Sequence, residues 1–247
     1  MFALRQQLTA EQRISKAIVD ITAHERYIAL AGVLMIGDKT VSDDIPTACT
    51  NGRDVKYGRA FVDSLTDAEL RGLVLHEDEG HKLHRHLEIW KWMYEIDPHL
   101  ANCACDYVIN IKIVDDNRQD GFAELPEGGL VDERFRGMDS AQVFNILLSE
   151  QPEQPDQPGT GTGQGPSGVG TQAGTSQQVC SNTTGNDNTP VGFDDHDWDG
   201  AQQLTDEEKK EFMEERENSD KDDDRSNLFK GIFVRVKRDS VTHMVLV

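Results

Sequence analysis

Residues 73–86 read LVLHEDEGHKLHRH: four histidines, with a His-Glu pair directly after an apolar run. Neutral imidazoles are good zinc ligands, and a glutamate beside one can act as general base toward a metal-bound water. In the usual zinc-peptidase helix the two histidines stand four apart, which puts both rings on one face. Here the spacing is five, from His76 through Glu77, Asp78, Glu79 and Gly80 to His81. At ~100° per residue a regular α-helix would point His76 and His81 about 140° apart. A π-bulge takes up one extra residue and restores alignment between positions five apart. Gly80 would ease such a distortion. The spacing therefore predicts a bulged helix with His76 and His81 as metal ligands and Glu77 as the catalytic base. The competing interpretation of the same residues is a solvated helix face.

A second stripe lies downstream. Asn102, Asp106 and Asn110 recur every four residues on an otherwise apolar segment, so they share one helix face. A carboxylate between two amides in apolar surroundings is costly unless it meets a cation or donors. Asp106 is either the third metal ligand, a group that orients a ligand histidine, or an aspartate bonded to its own helix surface or a loop. We favour the first, with His86 as the rival third ligand and His84 also open. Cys103 and Cys105 stand about 200° apart on a helix and cannot share a metal, so they read as small packing residues. His196, in DDHDWD, could add a metal contact, although an acidic docking segment with Trp198 as anchor is the preferred reading.

The elements that must position these residues follow from local signals. Thr9 to Gln12 is a capping box opening a helix through Ile14, Ala17, Ile18 and Ile21. The apolar run 28–36 reads as a buried strand, and 54–62 as a second strand broken by Gly58. Thr66 to Glu69 is another capping box, opening the helix that enters the histidine stretch. Asp97-Pro98 starts the helix of the Asn-Asp-Asn stripe, expected over 99–114. A last helix is expected over 140–148, and Thr205 to Glu208 caps a polar one. The order predicts an α+β fold. Trp90, Trp92 and Tyr94 read as core.

Composition bounds the alternatives. The chain has 247 residues with Lys+Arg 25 against Asp+Glu 45, a net charge of -20, so nucleic-acid phosphates would be repelled over most of the surface. No apolar run reaches membrane-spanning length, and the N-terminus carries no signal-like segment, so no nucleic acid, no membrane and a cytoplasmic setting with reduced cysteines are expected. Residues 1–150 read as one folded, metallopeptidase-like domain. Residues 151–192, rich in Gly, Pro and Gln, read as a flexible linker. Residues 193–247 read as an acidic segment with a helix and a basic tail.

The run TNGRDVKYGRAFVDSLTDAELRGLVLHE, followed by histidines and ACDYVIN, resembles the metallopeptidase domain found N-terminal to von Willebrand factor A-like domains, which phages and prophages encode in stand-alone form. LPEGGLVDERFRGMDSAQVFNILL and FDDHDWDGAQQLT resemble segments of the phage versions. The resemblance covers roughly residues 10–150 and 190–210. It implies a zincin-like fold in which a sheet edge borders the zinc helix, with His76 and His81 as ligands, Glu77 as base and Asp106 as the acidic residue of the next helix. The family pattern has two residues between the glutamate and the second histidine where this chain has three. Past about Asn218 the chain does not resemble the family's helical tail. The expected function is a zinc-dependent hydrolase, most simply a metallopeptidase acting on a protein or peptide laid along an edge strand at 54–62. The alternative is a catalytically silent, metallopeptidase-like binding module.

Overall fold

A computed structural model describes residues 7–151, 192, 194–210 and 213–214. The expected linker, apart from its two end residues, and the basic tail lie outside the described residues. Helix α1 (Ala10–Ala23) opens on the Thr9 capping box and buries Ala10, Ile14, Ala17 and Ile21. A turn of 3-10 helix, Ile28–Leu30, leads into α2 (Ala31–Leu34). The strand expected over 28–36 is therefore helical. A short apolar run buried on several sides carries no periodicity to separate the two states.

Strands β1 (Lys39–Ser42), β2 (Ala48–Thr50) and β3 (Val55–Gly58) follow. The chain then turns into α3 (Arg59–Ser64), so the strand expected over 54–62 ends at Gly58. The sheet order is β1-β3-β2-β4, with β4 (Asp195–His196) parallel to β2. Strand β3 pairs with β1 on one side and β2 on the other. It is not an edge, and its backbone groups are already engaged in ladders. A substrate strand cannot be added there.

Helix α4 (Asp67–Leu75) starts from the Thr66 capping box and buries Leu70, Leu73, Val74 and Leu75. Each such burial is worth roughly 1.5–3 kcal/mol. It runs directly into a π-helix, His76–Leu83. Arg85, with φ of 53°, ends this segment. Then come α5 (His86–Ile89), α6 (Lys91–Ile96) and the long α7 (Pro98–Asn117), whose Asp97 cap accepts from the Leu100 N–H. Helix α8 (Ser140–Glu150) packs on α7, and α9 (Trp198–Gln203) follows β4. The fold is a helix-dominated α+β arrangement, as expected.

Helix α7 is shared by two cores. Ile109 and Ile113 join the α1, α4 and sheet cluster. Leu100, Ala101, Ala104 and Ile111 join a second cluster with Phe135, Val143, Phe144 and Trp198. This packing on both sides fixes the rotation of α7, and so fixes where its polar stripe points. Cys103 and Cys105 form no disulfide and are buried in that second cluster, as small packing residues. Cys49 is disulfide-bonded, which corrects the reduced reading for that residue. Trp90 and Tyr94 pack against the second cluster, whereas Trp92 is exposed. No described helix is long and apolar enough to cross a membrane.

Candidate metal centre

Three elements converge on one point. The π-helix presents His76 and His81, α7 presents Asp106, and the segment at β4 presents Asp194 and His196. One ligand atom from each lies within 4.8 Å of the others, and all five residues are buried. His76 Nε2 is 2.8 Å from His81 Nε2, which is 2.9 Å from His196 Nε2. Asp194 Oδ2 sits 3.2, 3.6 and 3.3 Å from the Nε2 atoms of His76, His81 and His196. Asp106 Oδ1 is 3.6 Å from both His76 and His81.

The extra residue between Glu77 and His81 is absorbed by the π-turn. Gly80 is needed for a reason beyond backbone ease. A Cβ there would lie 2.6 Å from Ile109 Cγ2, so the missing side chain lets the π-helix approach α7 closely enough to face Asp106.

The amide stripe sets proton positions. His76 Nδ1 donates to Asn110 Oδ1 at 2.8 Å, while the Asn110 amide donates to the Leu130 carbonyl at 3.1 Å. His196 Nδ1 donates to Asn102 Oδ1 at 2.7 Å, and the Trp198 indole N–H donates to the same oxygen. An indole only donates, so that oxygen is an acceptor and the His196 hydrogen must sit on Nδ1. The Nε2 atoms of His76 and His196 are left as lone pairs aimed at the cluster. An acceptor on the far ring nitrogen fixes the orientation and tautomer of ligand histidines in metal sites in this way.

His81 Nε2 faces two bare lone pairs at 2.8 and 2.9 Å and can donate a hydrogen to only one of them, so the other contact is repulsive unless a cation lies among them. Asp194 Oδ1 and Oδ2 have no hydrogen-bond partner although buried. Burial first, and then any proton carried by neighbouring His196 or His76, pushes the His81 imidazole well below its ordinary range, toward the neutral form that binds metal. Burial raises the Asp194 carboxyl, but the three facing histidines outweigh it and hold the acid well below its usual range. An N3O2 donor set of this kind suits zinc or another borderline divalent ion.

Glu77 is fully buried, and neither carboxylate oxygen has a hydrogen-bond partner. Burial, then the nearby Asp194 and Asp78 carboxylates, push its pKa well above the usual range, and Lys82 pulls the other way.

His86 and His84 stand outside the five-residue group. The His86 ring is 5.4 Å from that of His81, and His84 stacks on His86. Asp194 and His196 are the group's members that the HEDEGH spacing could not supply. The signal for them was the HDW run within the family-like segment FDDHDWDGAQQLT. Trp198 does anchor that segment, stacking on Tyr94 at 5.1 Å, but the anchor serves the site itself.

The site is a buried histidine–aspartate cluster of the kind that can hold a metal ion. The chain belongs to the family described as "putative metallopeptidase domain", whose model matches residues 9–228. The match spans the 151–189 stretch as well as the segments that carry the resemblance, and it runs past Asn218, where the chain does not resemble the family's helical tail. No curated protein and no solved structure matches the chain.

Proposed function

We propose that the protein is a zinc-dependent metallopeptidase acting on a protein or peptide. What carries this reading is the convergence of His76, His81 and His196 on one point beside a buried carboxylate, Glu77, that has no partner of its own. His76, His81 and His196 would hold the metal, with Asp106 and Asp194 as further donors. Zinc, when bound, supplies a Lewis acid that polarises a peptide carbonyl and acidifies a water. Glu77 takes the proton of the attacking water on its carboxylate and passes it to the leaving amine. Burial and the neighbouring carboxylates raise its pKa, which makes its carboxylate a stronger base toward that proton. Asn110 and Asn102 keep two imidazoles in the tautomer that offers Nε2. The surrounding apolar residues keep bulk water away, which strengthens every charge interaction within.

A second reading has one observation behind it. Catalytic zinc sites keep a position open, and five buried donors leave none if all bind at once. A silent, metal-stabilised binding module would look like this. Glu77→Gln separates the two. The peptidase reading expects unchanged zinc content and loss of peptide hydrolysis. Hydrolysis at the wild-type rate would remove Glu77 as the base, and a wild-type protein that holds zinc without cleaving any peptide of a diverse library would favour the module.

A further inference from the structure

A buried charge cluster lies on the π-helix away from the metal donors. Asp78 and Lys82 are ion-paired, and neither side chain is exposed. Lys39, at the start of β1, places its Nζ 3.1 Å from the same Asp78 oxygen. Lys82 also donates to the Ile36 carbonyl at 2.9 Å, and Lys39 to the Leu34 carbonyl at 2.7 Å. Leu34 ends α2, so Lys39 satisfies a carbonyl at that helix's C-terminal end and Lys82 one two residues past it. The π-helix, α2 and β1 are thus tied together through one carboxylate.

Burying three charges is not an economical way to stabilise a fold, and apolar residues of similar size often do as well or better. Buried ion groups can instead specify register. Here the register in question is that of the π-turn. Relaxing it to α-helix would advance everything beyond the turn by one residue, about 100°. His81 would swing away from His76. Lys82 would swing off the Ile36 carbonyl by the same angle, leaving a buried ammonium short of partners. The metal ligand and the ion pair therefore depend on one backbone register, and Lys82 is anchored outside the π-helix at the Ile36 carbonyl.

We propose that Asp78, Lys82 and Lys39 are positioning residues that hold residues 76–83 in the π-register, and so preset the meeting of His76 and His81. This rests on the metal-centre reading above. It assigns the network a task at the site rather than a share of general stability.

The test uses the full chain and compares wild type, Asp78→Leu/Lys82→Met and Lys39→Met. Zinc affinity is read by competition with a chromophoric chelator, coordination geometry by the visible spectrum of the cobalt(II) form, and folding by thermal unfolding without metal. The double variant replaces the pair with apolar groups of like size and is expected to unfold within a few degrees of wild type. It should nevertheless bind zinc about tenfold or more weakly, the scale seen when groups supporting metal ligands are lost, with an altered cobalt spectrum. Wild-type affinity with an unchanged spectrum in the folded double variant would overturn the proposal. If the double variant does not fold, Lys39→Met, which lies outside the π-helix, carries the same comparison, with weakened zinc binding expected and unchanged binding overturning it. A wild-type chain that takes up no zinc would fail the metal-centre reading itself, and the positioning role with it. Loss confined to the variants leaves that reading standing.

Discussion

Asn110 accepts from His76 Nδ1 while its own amide donates to the Leu130 carbonyl, so the α7 stripe dictates which nitrogen of His76 faces the cluster. Removing the acceptor frees the ring to rotate and to change tautomer. Asn110→Ala is expected to weaken zinc binding about 10–100-fold with the fold retained. Competition titration checks this, and an unchanged affinity would mean that the stripe does not orient the ligand.

His196 lies 115 positions from His81 in sequence, yet the two Nε2 atoms are 2.9 Å apart. If His196 is a ligand, His196→Ala should cost more than the roughly 10–100-fold that loss of an outer partner costs. The effect should match His81→Ala in the same titration. A loss no larger than that of Asn110→Ala would place His196 outside the coordination sphere.

Gly80 sits where a Cβ would meet Ile109 Cγ2 at 2.6 Å and Cδ1 at 2.7 Å. Gly80→Ala is expected to lower stability by about 1–3 kcal/mol through overpacking. Trimming the opposing side chain in Gly80→Ala/Ile109→Ala should recover part of that cost, since residues in contact couple. Denaturant unfolding of the four-protein cycle measures it. Strict additivity would contradict the close approach.

Burial pushes the Cys103 and Cys105 thiols far above their ordinary range, so the thiolate, the form that reacts, is suppressed in the folded protein. Raising the pH through the usual thiol range should therefore leave both unlabelled by iodoacetamide under native conditions. Both should react once denaturant exposes them and restores the normal titration. Mass spectrometry after a short exposure at about pH 8.5, the unperturbed thiol value, reads the difference. Rapid native labelling of Cys105 would contradict the packing of α7 against α8.

Much of the site was legible from local spacing. The Thr9 and Thr66 capping boxes place α1 and α4 to the residue. The five-residue gap between His76 and His81 implies a π-turn, and the i, i+4 recurrence of Asn102, Asp106 and Asn110 puts them on the face that meets it. These signals are carried by neighbours a turn or two away. Asp194 and His196 join the cluster only because β4 pairs with β2, a contact between residues far apart in the chain. No local periodicity encodes that pairing. The run 28–36 is apolar at every position but Gly32, and even Met35, which the structure leaves exposed, is apolar, so its sequence shows neither a period of two nor one of 3.6. Strand β3 was recognised, but its central place in the sheet depends on pairing order, which short strands do not declare.

If the π-turn brings two histidines five apart onto one metal together with a third from β4, the metal content of the purified full chain must depend on them. Wild type is compared with His76→Ala/His81→Ala. One zinc per wild-type chain is expected, retained through dialysis and absent from the double variant at matched folding. A wild-type chain without bound metal after zinc loading, or a double variant that keeps its zinc, would contradict it.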